Sequence, residues 1–158
     1  MAEDVYLTRD FYHTLLKNLE NLKKERIRIA GAIDEARQQG DISENAEYDA
    51  AKEAQAHNVL QIAELEETLT SVKIIEDQNI PGDKIFIGAI VALKDMKTNK
   101  AFKYMIVSPQ EANFEENKIS IYSPIGKGLM GHGAGEELDI KVPVGVLKYK
   151  ILKIERPK

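Results

Sequence analysis

Two series of core-type positions, each stepping by threes and fours and neither containing a proline, mirror one another about a single point of the chain. The first runs Tyr12, Leu15, Leu19, Leu22, Arg26, Ile29, Ile33, Ala36, and the second Tyr48, Ala51, Gln55, Asn58, Ile62, Leu65, Leu69, Val72. Each places its members in one stripe of a helix, and stripes that coincide layer by layer form a coiled-coil seam. Folding the chain about residue 42 sets 12 against 72, 15 against 69, 19 against 65, 22 against 62, 33 against 51 and 36 against 48. An antiparallel helical hairpin is therefore predicted. Ala54, Leu60 and Ala63 fall outside the chosen stripe. Thr8 is placed to cap the first helix, and Gly40 to end it as the left-handed residue that follows a helix C-terminus.

Helices of about 30 residues, rising 1.5 Å per residue, make a rod about 45 Å long. Such a rod buries little beyond its own seam. Its middle carries a polar layer, with Arg26 facing Asn58 and Ile29 facing Gln55, which fixes register at a cost in stability. Two helices alone are marginal, so a second domain anchoring the open end is expected.

Charge separates that domain from the hairpin. Residues 1–78 hold 9 Lys/Arg against 17 Asp/Glu, and residues 79–158 hold 13 against 9. Eight of the ten glycines and all five prolines lie in the second stretch. The join falls at Asp77-Gln78-Asn79-Ile80-Pro81-Gly82-Asp83, where a Pro-Gly pair among polar residues marks a linker. The predicted domains are thus 1–78, the hairpin, and 79–158. The latter reads as strands over 89–93, 102–107, 118–122, 138–142 and 144–154, with an alternation that slips at Ile151-Leu152 and a short helix opening after Ser123-Pro124. The fold class is α+β, with a small antiparallel sheet and one helix following the hairpin.

Composition removes several functions. The chain has no cysteine, which excludes thiol catalysis, cysteine zinc sites and redox switching and suits a reducing cytoplasm. No apolar run approaches the roughly 18 residues of a membrane span, and Met1-Ala2-Glu3-Asp4 has neither the basic start nor the apolar stretch of a signal peptide, so a cytoplasmic protein without a membrane partner is expected. A net charge of −4 argues against generic binding to duplex DNA; any nucleic-acid role must be local. His13, His57 and His132 are scattered without metal-site spacing. Gly131-His132-Gly133-Ala134-Gly135 lacks the following lysine of a phosphate loop and reads as a mobile loop.

The sharpest signal lies at the fold point. Gly40-Asp41-Ile42-Ser43-Glu44-Asn45-Ala46-Glu47-Tyr48 sets three carboxylates within seven residues. Asp41 and Glu44 fit a capping box for the second helix, where acids also favour the helix dipole. The same two side chains can share a hard cation such as Mg²⁺, which takes a few carboxylates plus water. Two ligands hold it weakly, so a functional metal needs further ligands from a partner.

This run, continued by Asp49-Ala50-Ala51-Lys52-Glu53, closely resembles the tip motif of the GreA/GreB family of bacterial transcript cleavage factors. Ile87-Gly88-Ala89, Ile119-Ser120 and Ser123-Pro124-Ile125-Gly126-Lys127-Gly128-Leu129-Met130-Gly131 resemble that family's FKBP-like C-terminal domain, so the resemblance spans nearly the whole chain. Ile27 follows Arg26 where the family usually has an Arg-Pro pair. The resemblance implies a transcription elongation factor whose hairpin enters the secondary channel of bacterial RNA polymerase. There the residues matching Asp41 and Glu44 help hold an Mg²⁺ shared with polymerase carboxylates and position a water. The 3′ end of the nascent RNA in backtracked, arrested complexes is then cut by the polymerase's own activity, so the factor is an activator rather than an enzyme.

Two further groups gain a role from the resemblance. Lys23, Lys24, Arg26 and Arg28 form a basic cluster that faces no acid across the predicted seam, which makes them candidates for contact with the extruded RNA. Ser123, Pro124 and Ile125 match the loop implicated in polymerase docking, although Pro124 also suits the start of a helix. With no Trp to line a proline pocket, peptidyl-prolyl isomerase activity is not expected of the FKBP-like domain. The competing readings are a non-catalytic regulator or inhibitor of the secondary channel, and a structural coiled-coil adaptor whose tip acids only cap a helix.

Overall fold

The computed structural model describes residues 3–40 and 45–157. They pack as two units, one made of Tyr12–Ser71 and the other of the chain up to Phe11 together with the chain from Val72 onward. The first unit is the hairpin. Helix α1 spans Arg9–Gln38 and helix α2 spans Ala46–Thr70. Thr8 caps α1 as its sequence position predicts, its hydroxyl accepting from the Phe11 amide at 3.3 Å.

The seam follows the mirrored series closely. Ile29, Ile33, Ala36, Asn58 and Ile62 are buried, and the remaining members except Arg26 are half-buried, as expected where two helices cannot enclose one another. Ala54, Leu60 and Ala63 are exposed. Two members depart from it. Arg26 is exposed and Glu25 takes the half-buried place one residue earlier, so the seam steps from Leu22 by three and then by four, which keeps a long charged head in water. Asn58 does not face Arg26; at 3% exposure its Nδ2 donates to the Leu22 carbonyl at 3.0 Å, using that oxygen's second lone pair. Val72 belongs to no helix, because α2 stops at Thr70.

Val72–Ile74 is instead strand β2, paired in parallel with β1, Val5–Leu7, in a two-stranded sheet. Parallel neighbours need a long crossover, and here the whole hairpin is that crossover. Leu7 and Ile75 are fully buried beside this pair. Ile75 presses on Gly88, which has φ 90° and where an added Cβ would lie 2.5 Å from the Ile75 side chain. Backbone conformation and close approach both demand glycine there.

The main sheet has five strands, β3 (Ile90–Asp95), β4 (Ala101–Val107), β5 (Lys118–Ser120), β6 (Glu137–Val142) and β7 (Gly145–Glu155), in the order β5-β4-β3-β7-β6. All pairings are antiparallel except β4 with β5, which run parallel. Helix α3, Pro124–Leu129, lies in the connection from β5 to β6. Val91, Leu93, Ile106, Leu129, Ile140 and Ile151 form the centre of a core on one face of the sheet, with Phe102, Tyr104 and Tyr149 stacked edge to face around it. The slip in alternation at Ile151-Leu152 is a bulge: Leu93 pairs with Ile151 and Ala92 with Lys153, leaving Leu152 unpaired. The Gly131–Gly135 loop is tied down rather than loose, since Gly131 and Gly135 donate to the Ile85 and Ile151 carbonyls at 2.8 and 2.7 Å. Glu136 braces it further, its carboxyl held below the usual glutamate range first by the Gly133 amide and then by His132.

Candidate functional site

Asp41 and Glu44 fall in the stretch of sequence between α1 and α2 and lie outside the described residues. The described residues on either side of them form a closed arrangement. Asn45 is the N-cap of α2, with its Oδ1 accepting from the Tyr48 amide at 3.1 Å, while its Nδ2 donates to the Ala36 carbonyl in the last turn of α1. One side chain thus caps the second helix and ties it to the end of the first. Glu47 and Asp49 supply the acids of the first turn, where they face the positive end of the helix dipole. On the α1 side, Gly40 has φ 159°, an extended backbone, and is not the left-handed cap its sequence position suggests; the Ala36 carbonyl is satisfied by Asn45 and by the Gln39 amide at 3.3 Å. Tyr48 sits half-buried in the seam with the Arg37 guanidinium 6.0 Å from its ring centre.

The capping role read in the sequence for Asp41 is therefore filled by Asn45. Sequence alone missed this because Asp and Asn cap equally well, and both occur within five residues here. The available signal was the run Asn45-Ala46-Glu47, a cap residue followed directly by a strong helix former and an acid. Among the described residues no cluster of three or more His, Asp or Glu side chains is arranged to hold a metal.

The basic cluster divides into two pairs. Lys24 is bound to Glu20 at 3.2 Å, and Arg28 grips Glu25 through both Nε, at 3.0 Å, and Nη2. The Arg28 hydrogen bonds hold the Glu25 carboxyl below its usual range, and Arg28 is raised in return. These bridges run along α1 rather than across the hairpin, because α2 offers no acid opposite. Lys23 and Arg26, three residues apart and exposed, have no ion-pair partner among the described residues.

In the sheet unit, Ser123 caps α3, accepting from the Gly126 amide at 3.0 Å and donating to the Ser120 carbonyl at 2.7 Å. Pro124 occupies the first turn and is exposed, whereas Ile125 is half-buried and packs on the core. A Cβ on Gly126 would lie 2.1 Å from the Ser120 carbonyl oxygen, so only glycine lets the helix start here. Of the three candidate docking residues, Pro124 alone is exposed. Its exposed neighbour is Tyr122, 62% accessible, which the sequence reading passed over because a tyrosine near a strand end carries no mark of exposure.

A seam-packed helical hairpin is one unit of this chain, and a small β domain bearing a serine-proline helix start is the other. Comparison with known proteins gives it a family. A model described as "Transcription elongation factor, N-terminal" matches residues 5–74, and one described as "Transcription elongation factor, GreA/GreB, C-term" matches residues 80–156. The chain is similar to transcription elongation factor GreA of Chloroherpeton thalassium, 42% identical over 156 residues, 98% of this chain and 99% of that one. GreA of Flavobacterium johnsoniae is 41% identical over 157 residues, 99% of each chain. Among solved structures, the Gfh1 protein of Thermus thermophilus is 30% identical with a TM-score of 0.45, covering 97% of this chain and 99% of that one. A GreA/GreB factor from Nitrosomonas europaea is 25% identical with a TM-score of 0.42, over 65% and 85%. The protein belongs to the GreA/GreB family of transcription elongation factors.

Proposed function

We propose that this factor stimulates the endonucleolytic cleavage of backtracked RNA by bacterial RNA polymerase, delivering Asp41 and Glu44 through the secondary channel. The observation that carries the proposal is Asn45. Because it caps α2 and ties it to α1, neither acid of the turn is needed to start the helix. Two carboxylates in the sequence between the helices without that duty suit a hard cation, and oxygen donors alone suit Mg²⁺. Asp41 and Glu44 would hold such an ion jointly with polymerase carboxylates. Bound there, it would supply charge stabilisation for phosphodiester cleavage by water. The chain's own contribution is to bring the carboxylates to the end of a rod about 45 Å long and to accept hydrogen bonds from the attacking water. Lys23 and Arg26 would lie along the extruded RNA, and Pro124 with Tyr122 would meet the polymerase surface.

Asp41→Asn separates this reading from an adaptor or a non-catalytic channel regulator. The substitution removes a charge and leaves the α2 cap untouched. It should leave the melting temperature unchanged and preserve competition for polymerase. Stimulated cleavage of backtracked complexes should fall by about 10²–10³ at limiting Mg²⁺, the cost typical of losing one preorganised electrostatic group. Raised Mg²⁺ should restore part of it. Cleavage close to wild type would remove Asp41 from the reaction.

A further inference from the structure

The five-stranded sheet ends on β5 at one side and on β6 at the other. A sheet edge carries unpaired N–H and C=O groups that a further strand can take up. The β5 edge is already used. Lys118 exchanges both main-chain hydrogen bonds with Asn113, at 3.0 and 2.9 Å, and the Ser120 carbonyl accepts from the Ser123 amide at 3.0 Å. The β6 edge has no such cover. The two-residue connection Pro143-Val144 makes Val142 and Gly145 the hydrogen-bonded pair that closes the β6–β7 hairpin. In the same phase, the Ile151 amide donates to the Glu136 carbonyl at 2.9 Å. Leu138, Ile140 and Val142 therefore direct their main-chain groups to β7, and those of Glu137, Asp139 and Lys141 point out of the sheet edge. Among the described residues none bonds to them.

The side chains of those same three residues are exposed, and none closes an ion pair among the described residues. Charges on an edge strand deter an apolar strand from pairing there. Glu137, Asp139 and Lys141 carry both signs, however, and the edge complements a second copy of itself run antiparallel. With Ile140 on a twofold axis, Asp139 stands opposite the partner's Lys141 and Lys141 opposite the partner's Asp139. Both pairs use outward main-chain groups, so each exchanges its N–H and C=O bonds. Glu137 lies diagonal to the partner's Lys141, within reach of its long side chain. On the core side Ile140 meets its own copy, and Leu138 meets the partner's Val142. Other registers fail. An axis at Asp139 or at Lys141 sets that residue against its own copy, and like charges directly opposite destabilise a sheet. A one-residue slip sets charged side chains against apolar ones. Pro143, which has no N–H, ends the ladder at the hairpin tip.

From the free main-chain groups, the opposite charges and the matched apolar residues, we infer that the β6 edge pairs with β6 of a second copy of this chain, joining two five-stranded sheets into one across a twofold axis. Such an interface is isologous and closes on itself, so it gives a dimer rather than a filament. β6 has six residues, which places the interface at the small end of specific association, and the dimer forms only at high protein concentration. The inference concerns the sheet unit alone and does not rest on the cleavage reading.

The test is sedimentation velocity of the full-length protein from about 10 µM to 1 mM, the range in which weak association becomes visible. The mass of the wild type is expected to rise from 17.8 kDa toward twice that value. Lys141→Asp sets two acids opposite each other in both cross-strand pairs, and Asp139→Lys sets two lysines there. Each should move the midpoint of association up by about tenfold. Lys141 lies opposite Val146 of its own chain, so Lys141→Asp costs the fold nothing; Asp139→Lys meets Lys148, and circular dichroism checks that it is folded. An equimolar mixture of the two single variants should associate as the wild type does, because each chain supplies the charges the other lacks. Hydrogen exchange should show the amides of Asp139 and Lys141 slowing as concentration rises, while that of Ile140, already bonded to β7, stays constant. The inference is overturned if the wild type keeps its monomer mass throughout, or if either single variant associates as the wild type does. It is also overturned if the mixture associates no better than its components, or if association leaves exchange at Asp139 and Lys141 unchanged.

Discussion

Asn45 shows how much one side chain can decide. Its amide group satisfies an orphan N–H at the start of α2, a group that a helix leaves unpaired, and gives the Ala36 carbonyl at the end of α1 a second donor beside the Gln39 amide. Asn45→Ala removes both bonds, and the expected loss is about 1–2 kcal/mol, measured by urea unfolding followed through helix circular dichroism. Asn45→Asp keeps the acceptor for Tyr48 and loses the donor to Ala36, so it should fall between the alanine variant and wild type. If Asn45→Ala melts like wild type, the closure of the turn rests elsewhere and the two acids regain a structural duty. The sequence could not choose between Asp41 and Asn45 because cap chemistry is the same at both. Only the residue at which α2 begins distinguishes them.

At the scale of the element, the four cations of the basic cluster on α1 are sorted by what lies one turn away. Glu20 and Glu25 satisfy Lys24 and Arg28 along the helix, and exposed bridges of this kind contribute little to stability. Lys23 and Arg26 have no such partner among the described residues, and under the proposed function they are the pair that would meet RNA. Lys23→Gln/Arg26→Gln should therefore impair cleavage more than Lys24→Gln/Arg28→Gln, more for long backtracked segments than for short ones, and should reduce the salt sensitivity of cleavage. Measured across complexes of defined backtrack length, equal loss at every length would assign these residues to general docking instead. Their division was not legible beforehand. The seam admits a step from Leu22 to either 25 or 26, and until that step is settled the helix face carrying each cation is undetermined. The β elements were more legible: all five predicted strands are present, and the broken alternation at Ile151-Leu152 announced the bulge.

At the scale of the whole molecule, the first eleven residues belong with the chain from Val72 onward, so the compact units do not follow the linear boundary near residue 78. Glu111 makes much of this joint. Its side chain is fully buried, and it accepts from the Thr8 amide at 2.9 Å, the Thr8 hydroxyl at 2.6 Å and Lys118 Nζ at 3.4 Å. The Thr8 hydroxyl in turn caps α1, so one carboxylate holds strand β1, the helix start and strand β5 together. Nearby, Glu76 accepts from the Arg9 amide, and Asp77 pairs with the Arg9 guanidinium. Glu111→Ala strands the Thr8 amide and leaves Lys118 without its buried partner. The expected cost is about 2–3 kcal/mol, below the ~3–5 of a fully buried pair because Lys118 keeps part of its surface in water. Hydrogen exchange should show the loss at Val5–Leu7, whose amide protection falls while that of β3 and β7 persists. Unchanged protection at β1 would mean that the pairing with β2 suffices.

What the sequence by itself determined is whatever repeats along the chain: the period of the two helices, their mirrored layers, the alternation of the strands, and the glycine and proline that end elements. These are local rules of backbone geometry and burial, and they specify the hairpin and the sheet before any tertiary contact forms. Only the tertiary structure decided where residues distant in sequence meet. Val72 leaves the helical seam for a parallel pairing with Val5, Glu111 reaches Thr8, and Lys94 comes opposite Lys150. No periodicity encodes such pairings, because each depends on which buried or charged group another part of the chain leaves unsatisfied.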